Sequence, residues 1–415
     1  MSIEGKSNKK EFFYIIVGCM YLPEDEELVK TKFIKNETSV SNNVFERKLF
    51  FGFLNSTNCN NVRFVSAPSI GWYPKNCKKI KMKGFSKTNN YVAVEYLTTY
   101  FGSAISKEQA IFREIKNIIK KIELRKFKIC LILNELHLPY LICAKRLKKM
   151  LGANNCVVVQ LVPDLPEFNN RSKNIFYKTL KKINCRYVES IRKSNVDKYV
   201  LFSKSMINRL NLYDKKSFIV NEGITSTQNV CKTVENTDNK KHIVYIGKID
   251  KRNGVELIAN VAEMFSENDN IVFDLYGISA SQGANIDYIA NHKNIVMHGF
   301  TSPTNVPSIL NKADILLSPR FSNDEYTKYS FPSKLFDYLA AFKPIITFRL
   351  ECYPKEIDNF VIYPLDENKE ALYESIKYAL SGQYVVNKKG IINFLSSYSE
   401  ISVANKIINL VEEKE

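Results

Sequence analysis

Long apolar runs are missing from this 415-residue sequence, and their absence excludes a first class of protein. No stretch approaches the ~20 apolar residues that a membrane-spanning helix needs. The run Phe12–Val17 is too short for a secretory leader, and a polar stretch, Ser2–Lys10, precedes it. It reads as a first buried strand. Histidine is scarce, with four residues, and the nine cysteines are scattered without a CxxC pair. That pattern argues against a disulfide framework or a zinc site and for free thiols in a reducing, cytoplasmic setting. Acidic residues are outnumbered, 43 against 60 Lys and Arg, for a net charge of +17. Such an excess suits nucleic acid, an anionic membrane surface or phosphorylated substrates. No helix-turn-helix, RNP or finger signature is present, so a nucleic-acid binder rests on charge alone and is not expected.

What is present is an alternation of strand-like and helix-like segments. The length suits two domains of roughly 200 residues each. In the C-terminal half, Ile243–Ile246, Ile271–Tyr276, Ile295–His298, Ile315–Ser318, Pro344–Phe348 and Phe360–Tyr363 read as strands. Gly254–Phe265, Val306–Leu310, Ser333–Ala341 and Glu370–Leu380 read as helices between them. In the N-terminal half, strands are expected at Tyr14–Val17, Val62–Ser66, Lys128–Leu133, Val157–Val162, Tyr199–Phe202 and Ser217–Val220. Helices are expected near Asn42–Leu54, Arg113–Leu124 and Leu141–Leu151. The alternation predicts parallel, doubly wound sheets, which bind ligands at the carboxyl ends of their strands. The polar stretch Ile224–Lys241 reads as a linker. The boundaries are thus 1–224, 225–390 and a helical tail 391–415 expected to pack back toward the N-terminal domain.

The segment Ser318–Pro344 carries the most chemistry. A strand ends at Ser318, a polar loop follows, and Phe331-Pro332-Ser333-Lys334 opens a helix. Ser333 is a natural N-cap, and a helix start offers amide donors and partial positive charge to a phosphate. Lys334 adds a full cation. Asp337, one turn on, is placed to accept two hydrogen bonds from a ribose diol.

This segment resembles the donor-binding region of family 4 retaining glycosyltransferases, above all the bacterial capsule and exopolysaccharide type. The likeness is carried by Pro319, Arg320, Asp324, Glu325, Tyr326, Tyr329, Ser330, Phe331, Pro332, Ser333, Lys334, Asp337 and Tyr338. Tyr245-Ile246-Gly247-Lys248 followed by Lys251-Arg252-Asn253-Gly254 resembles the strand–loop–helix that opens the family's donor domain. Asn42–Phe45, Ser66–Pro68, Pro163–Glu167 and Val220–Gly223 extend the likeness into the N-terminal half.

The resemblance implies the GT-B fold, α/β with two doubly wound Rossmann-like domains facing each other across a cleft. It implies transfer of a hexose from a nucleotide-sugar (UDP- or GDP-linked) to a saccharide, with retention, without a metal or other cofactor. Arg252, Lys334 and Asp164 are the expected catalytic residues. Lys248, Arg252, Tyr329, Phe331, Ser333, Lys334 and Asp337 are the expected donor-binding set, with the cations stabilising charge on the leaving diphosphate. There are departures. Tyr329 stands where many members have a first glutamate, Asp337 is the shorter carboxylate at the second, and Pro163 replaces a histidine beside Asp164. Ile278, not a second glycine, follows Gly277. Asp324 or Glu325 is an alternative contact to the sugar, or else a solvated acidic loop. His137, at a strand end, reads as structural rather than as a general base.

A basic, aromatic-interleaved stretch (Arg171, Lys173, Phe176, Tyr177, Lys178, Lys181, Lys182) suits a peripheral helix at the inner membrane face, where a lipid-linked acceptor would be met. The competing readings are a non-catalytic GT-B partner that stabilises or targets another transferase, and a GT-B enzyme of another reaction such as a sugar-nucleotide epimerase.

Overall fold

Short β-branched and aromatic runs form the strands, and amphipathic segments between them form the helices that cover both sheet faces. The computed structural model describes residues 10–35, 41–85, 87–100, 102–168, 175–214, 217–225, 239–278 and 284–413. The chain divides into two units, residues 1–202, 206–224 and 400–415 in one, and residues 203–205 and 225–399 in the other. The expected linker lies largely at 226–238, outside the described residues.

The N-terminal unit contains β1 (Glu11–Gly18), α1 (Glu26–Lys32), α2 (Ser41–Ser56), β2 (Val62–Ser66), β3 (Lys81–Met82), β4 (Tyr91–Ala93), β5 (Tyr96–Leu97) and α3 (Ser103–Ile119). It continues through β6 (Phe127–Asn134), α4 (Leu138–Leu151), β7 (Cys156–Val162), α5 (Ile175–Asn195), β8 (Lys198–Leu201), α6 (Ser205–Arg209) and β9 (Phe218–Val220). Seven strands form one parallel sheet in the order β4-β2-β1-β6-β7-β8-β9. The central strands are buried on both faces and therefore read as continuous apolar runs rather than alternating ones.

The C-terminal unit follows with β10 (Lys241–Ile246), α7 (Val255–Met264), β11 (Ile271–Tyr276), α8 (Ile286–Ala290), β12 (Ile295–Gly299), α9 (Val306–Lys312) and β13 (Ile315–Ser318). It ends with α10 (Lys334–Ala340), β14 (Ile345–Thr347), α11 (Lys369–Leu380) and α12 (Lys388–Ser396). Its five strands are parallel in the order β12-β11-β10-β13-β14. In each sheet the chain winds outward in both directions from its first strand. The switch points are therefore at β1/β6 and β10/β13, and the carboxyl ends there are where a doubly wound sheet holds ligands.

Three expectations are corrected. The helix predicted at Arg113–Leu124 starts at Ser103 and ends at Ile119. Its first turns bury Glu108, which Arg146 holds at 2.6 Å, so a buried acid interrupts the apolar stripe. Phe360–Tyr363 is not a strand. Phe360, Val361 and Ile362 enter the core consecutively, and only Ile362 makes a single bridge, to Ile346. The tail is two helices, α12 and a final α13 (Glu400–Glu412). They part at a serine-rich turn, where Ser396 and Ser397 donate to the carbonyls of Asn393 and Phe394 instead of extending the helix.

α12 packs in the C-terminal unit, where Ile391, Phe394 and Tyr398 join the core around Phe336. α13 belongs to the N-terminal unit and lies on α2 so closely that a Cβ on Gly52 would meet the Glu400 carbonyl oxygen at 2.3 Å. It buries Val403, Ala404, Ile407 and Val411. Ile407→Ala is expected to cost roughly 2–5 kcal/mol by cavity formation. The loss should appear in the denaturant transition of the N-terminal unit and leave that of the C-terminal unit in place.

Candidate functional site

At the C-terminal unit's switch point, backbone lies directly on backbone. Gly277 follows β11, and a Cβ there would meet the Gly247 carbonyl oxygen at 1.7 Å. Gly254 (φ 71°) opens α7, and a Cβ there would meet the Pro319 carbonyl oxygen at 2.1 Å. Only glycine allows these approaches. They draw the loops after β10, β11 and β13 into one place. Tyr338, from α10, fastens the arrangement. It accepts the Ile246 amide at 2.8 Å and donates to the Leu317 carbonyl at 3.3 Å.

Three cations gather there. Arg252 lies on a short 3-10 turn capped by Asp250, whose carboxylate accepts the Asn253 amide at 2.9 Å. Its guanidinium lies 3.4 Å from Asp324 and 5.4 Å from the centre of the Tyr326 ring. Arg320, buried after β13, lies 4.2 Å from the same ring and donates to the Ser330 carbonyl at 3.2 Å. Tyr326 thus carries two guanidinium groups. Lys334 places its ammonium 4.0 Å from the centre of the buried Tyr245 ring and 5.7 Å from that of Tyr338. Burial, and then the charge of Arg320, push Lys334 down to about 7. Lys334 therefore releases its proton far more readily than an ordinary lysine. An anion at this place would draw the proton back.

The sequence-predicted donor set divides on this geometry. Arg252 and Lys334 come together, with Arg320 and Tyr326, which the motif contained but to which no role had been given. Lys248 is exposed at the loop beside them, and its carbonyl accepts the Tyr245 hydroxyl at 2.7 Å. Asp337 is half-buried on α10, one turn after Lys334. Tyr329 closes the 3-10 turn Glu325–Lys328, its amide donating to the Tyr326 carbonyl at 3.1 Å. The Phe331 ring packs in the core against Phe336 (5.1 Å) and Tyr353 (5.7 Å), so it offers only backbone to a ligand. Ser333 is corrected as a cap. Its backbone is already helical (φ −53°, ψ −27°) and its hydroxyl makes no capping bond, because that bond needs the extended N-cap conformation. Asp324 is turned to Arg252 and to the Tyr326 amide.

The N-terminal unit has its own constellation at the β1/β6 switch point. Glu46, fully buried on α2, accepts the amides of Cys19 and Met20, each at 2.7 Å, and the side-chain amide of Asn134. Glu135 follows β6 in a left-handed conformation (φ 62°), where a non-glycine residue is strained. It accepts a hydrogen bond from Asn42. Burial, then Glu46 and Asp164, raise Glu135 to about 7. Asp164, the carboxylate expected to be catalytic, thus shares this corner with a glutamate that the motifs did not disclose. The clue available in the sequence was position alone, an acid directly after an apolar run. His137 stands at the N-cap of α4, held down to about 3 by desolvation and Lys107, so it is neutral at pH 7. Of the basic stretch that leads into α5, Arg171 and Lys173 lie outside the described residues, as do the side chains of Phe176, Tyr177 and Lys178. Lys181 turns inward to the Glu167 carbonyl at 2.9 Å, and Lys182 is exposed.

Glu135 gives a pH-dependent stability with a definite sign. Its folded value lies above the ordinary carboxylate range, so between about pH 4 and pH 7 the folded state keeps a proton that the unfolded chain has released. This group therefore destabilises the fold progressively as pH rises through that window. Glu135→Gln is expected to gain stability relative to wild type between pH 4.5 and 7.5, measured by denaturant midpoints. An unchanged difference across the window would contradict the assignment.

Comparison with known proteins accords with this architecture. Residues 229–392 match the family model described as Glycosyl transferases group 1. No curated protein matches the sequence. Among solved structures, the chain is similar to sucrose-phosphate synthase (tll1590) from Thermosynechococcus elongatus, with a TM-score of 0.65 and 11% identity over 96% of this chain and 98% of that one. It is also similar to WaaG, a glycosyltransferase of lipopolysaccharide biosynthesis, with a TM-score of 0.59 and 13% identity over 97% and 100%. Anabaena Alr3699/HepE in complex with UDP and glucose matches with a TM-score of 0.59 and 8% identity over 97% and 100%. The chain has the GT-B fold, and residues 229–392, within its C-terminal unit, are similar to the glycosyl transferases group 1 model.

Proposed function

We propose that this protein transfers a hexose from a nucleotide-sugar to a lipid-linked saccharide, with retention and without a metal, in the synthesis of a bacterial surface polysaccharide. The observation that carries the reading is the group of Arg252, Arg320 and Lys334 at the switch point of the group 1 domain, held on tyrosine faces. A nucleoside diphosphate is the ligand class that such a cluster suits. The UDP and glucose named with HepE support a UDP-sugar as the first donor to test, ahead of a GDP-sugar.

In this reading the cations hold the diphosphate and stabilise the charge it gains as the glycosidic C1–O bond breaks. The leaving phosphate oxygen takes the proton of the incoming hydroxyl on the same face of the sugar. No side-chain nucleophile is needed, and the protein contributes orientation and charge. Asp337 is assigned to the ribose diol, and Asp164 with Glu135 to the acceptor hydroxyls. The protein works in the cytoplasm, peripherally at the inner face of the membrane, where a lipid-linked acceptor is presented.

The first test is thermal stabilisation by UDP-, GDP-, ADP- and CMP-sugars. One nucleotide is expected to raise the melting temperature by a few degrees at saturating concentration. Arg252→Ala and Asp337→Ala should abolish most of that shift. Absence of stabilisation by every nucleotide would favour the alternative, a non-catalytic partner of another transferase.

Lys334 adds a second signature. Because it is pushed down to about 7, nucleotide binding at pH 8 should take up close to one proton. Calorimetry in buffers of different ionisation enthalpy should give different apparent binding enthalpies for wild type and equal ones for Lys334→Met. Equal enthalpies for wild type would show that Lys334 does not meet the phosphates.

A further inference from the structure

We infer that the N-terminal unit carries a docking surface for an anionic bilayer, built from the segment between β2 and α3. The inference rests on the proposed action at a membrane and names the surface that makes the contact. Between Arg47 and Lys107 the only acidic residue is Glu95. Lys75, Lys78, Lys79, Lys81, Lys83 and Lys87 fall within thirteen residues of one another there, and all six are exposed. The one acid is already matched, since Lys81 holds Glu95 at 2.9 Å.

Three passes of the chain are laced into one surface. The Tyr73 amide donates to the Thr98 carbonyl at 3.0 Å, and the Thr98 amide donates to the Ile80 carbonyl at 2.8 Å. The Leu97 amide donates to the Ser106 hydroxyl of α3 at 2.9 Å. In the antiparallel β3/β5 pair, Met82 and Tyr96 face inward, whereas their neighbours Lys81 and Leu97 face outward together. Among the cations the surface exposes large apolar groups. Ile105 is 64% exposed, Ile80 52% and Leu97 39%. Trp72, the only tryptophan in the chain, is 39% exposed and meets Tyr100 edge-on at 4.6 Å.

The mixture selects the occupant. A soluble polyanion would be served by lysines alone and gives no reason to leave isoleucine and tryptophan in water. A bilayer accounts for both, because anionic headgroups attract the lysines while the apolar and indole side chains enter the interface. The basic helix α5 also exposes Ile183 and Tyr187, but among the described residues fewer of its cations face solvent. Lys181 is turned inward, and Lys193 is paired with Glu189 at 3.2 Å.

The single tryptophan makes the surface its own reporter. Intact protein mixed with vesicles containing phosphatidylglycerol should co-sediment with them and show a blue shift of Trp72 emission. Both effects should vanish with pure phosphatidylcholine and weaken at high salt. Lys79→Glu combined with Lys83→Glu should weaken vesicle binding at least about tenfold. The glutamine pair at the same positions serves if charge reversal perturbs folding. Lys182→Glu with Arg186→Glu on α5 should bind like wild type. The inference is overturned by sedimentation without a blue shift, by loss of binding only in the α5 variant, or by equally tight binding of polyuridylate that displaces the vesicles. Nucleotide-induced stabilisation, measured on the same proteins, separates the two readings. Stabilisation without vesicle binding sinks the docking surface alone, and vesicle binding without stabilisation sinks the transferase reading alone.

Discussion

Like-charge repulsion is the constraint around which the C-terminal unit is arranged. Arg320 is buried, Lys334 is half-buried, and Arg252 stands on the next loop. Bringing such charges together in a partly desolvated corner is unfavourable, and a carboxylate for each would relieve it. Asp324 lies beside Arg252, the charge of Asp250 acts on Lys334, and aromatic faces add to both. Tyr326 lies against both guanidinium groups, and Tyr245 and Tyr338 lie against the ammonium. A ring face is worth about 0.5–2 kcal/mol to a cation, less than a well-made buried ion pair, and it leaves the charge uncancelled. The burial of Lys334 and the nearby charge of Arg320 show in a lysine pushed down to about 7. On the proposed donor reading, a diphosphate adds negative charge here and restores the proton to Lys334, so that binding and relief of repulsion coincide.

That arrangement depends on how closely the strand ends approach. Gly277 against Gly247 and Gly254 against Pro319 bring backbone segments to distances that a single methyl group would forbid. Tyr338 then ties β10 to β13 by bonding one backbone amide and one carbonyl. The same tyrosine ring offers its face to Lys334, so one side chain both sets the spacing of the strand ends and lines the site. Replacing it would disturb geometry and electrostatics together.

How much of this the sequence disclosed follows from what each feature depends on. Strands such as Ile271–Tyr276 and Val62–Ser66 were legible to the residue, because each is a short β-branched and aromatic run, interrupted only by Asp274 or Arg63 and bounded by polar residues. The cation cluster was half legible. Arg252 and Lys334 sit in motif positions, but the burial of Arg320 and the two-sided use of Tyr326 are tertiary facts. α3 was misplaced because Glu108, an acid buried by its bond to Arg146, looks like a solvent-facing residue. Ser333 has the right chemistry for a cap and the wrong backbone conformation. Glu46 and Glu135 were invisible for a third reason. They are 89 positions apart and acquire meaning only where α2 crosses the ends of β1 and β6. Shifts of protonation that come from such convergence have no local signature.

The order of the chain adds a final consequence. The N-terminal unit is not complete when β9 ends, because α13, which follows the C-terminal unit in sequence, covers α2 and buries Ile407 among its neighbours. A helix left without its partner exposes an apolar face, and units generally fold as they are completed. The C-terminal unit has all its strands by β14 and its last core helix in α12, so it can close before α13 returns. The serine-rich break between α12 and α13 has a structural role in this order. It lets adjacent helices serve different cores, with the chain turning at Ser396–Ser399 while Tyr398 stays in the C-terminal core and its carbonyl accepts the Thr225 amide at 2.9 Å.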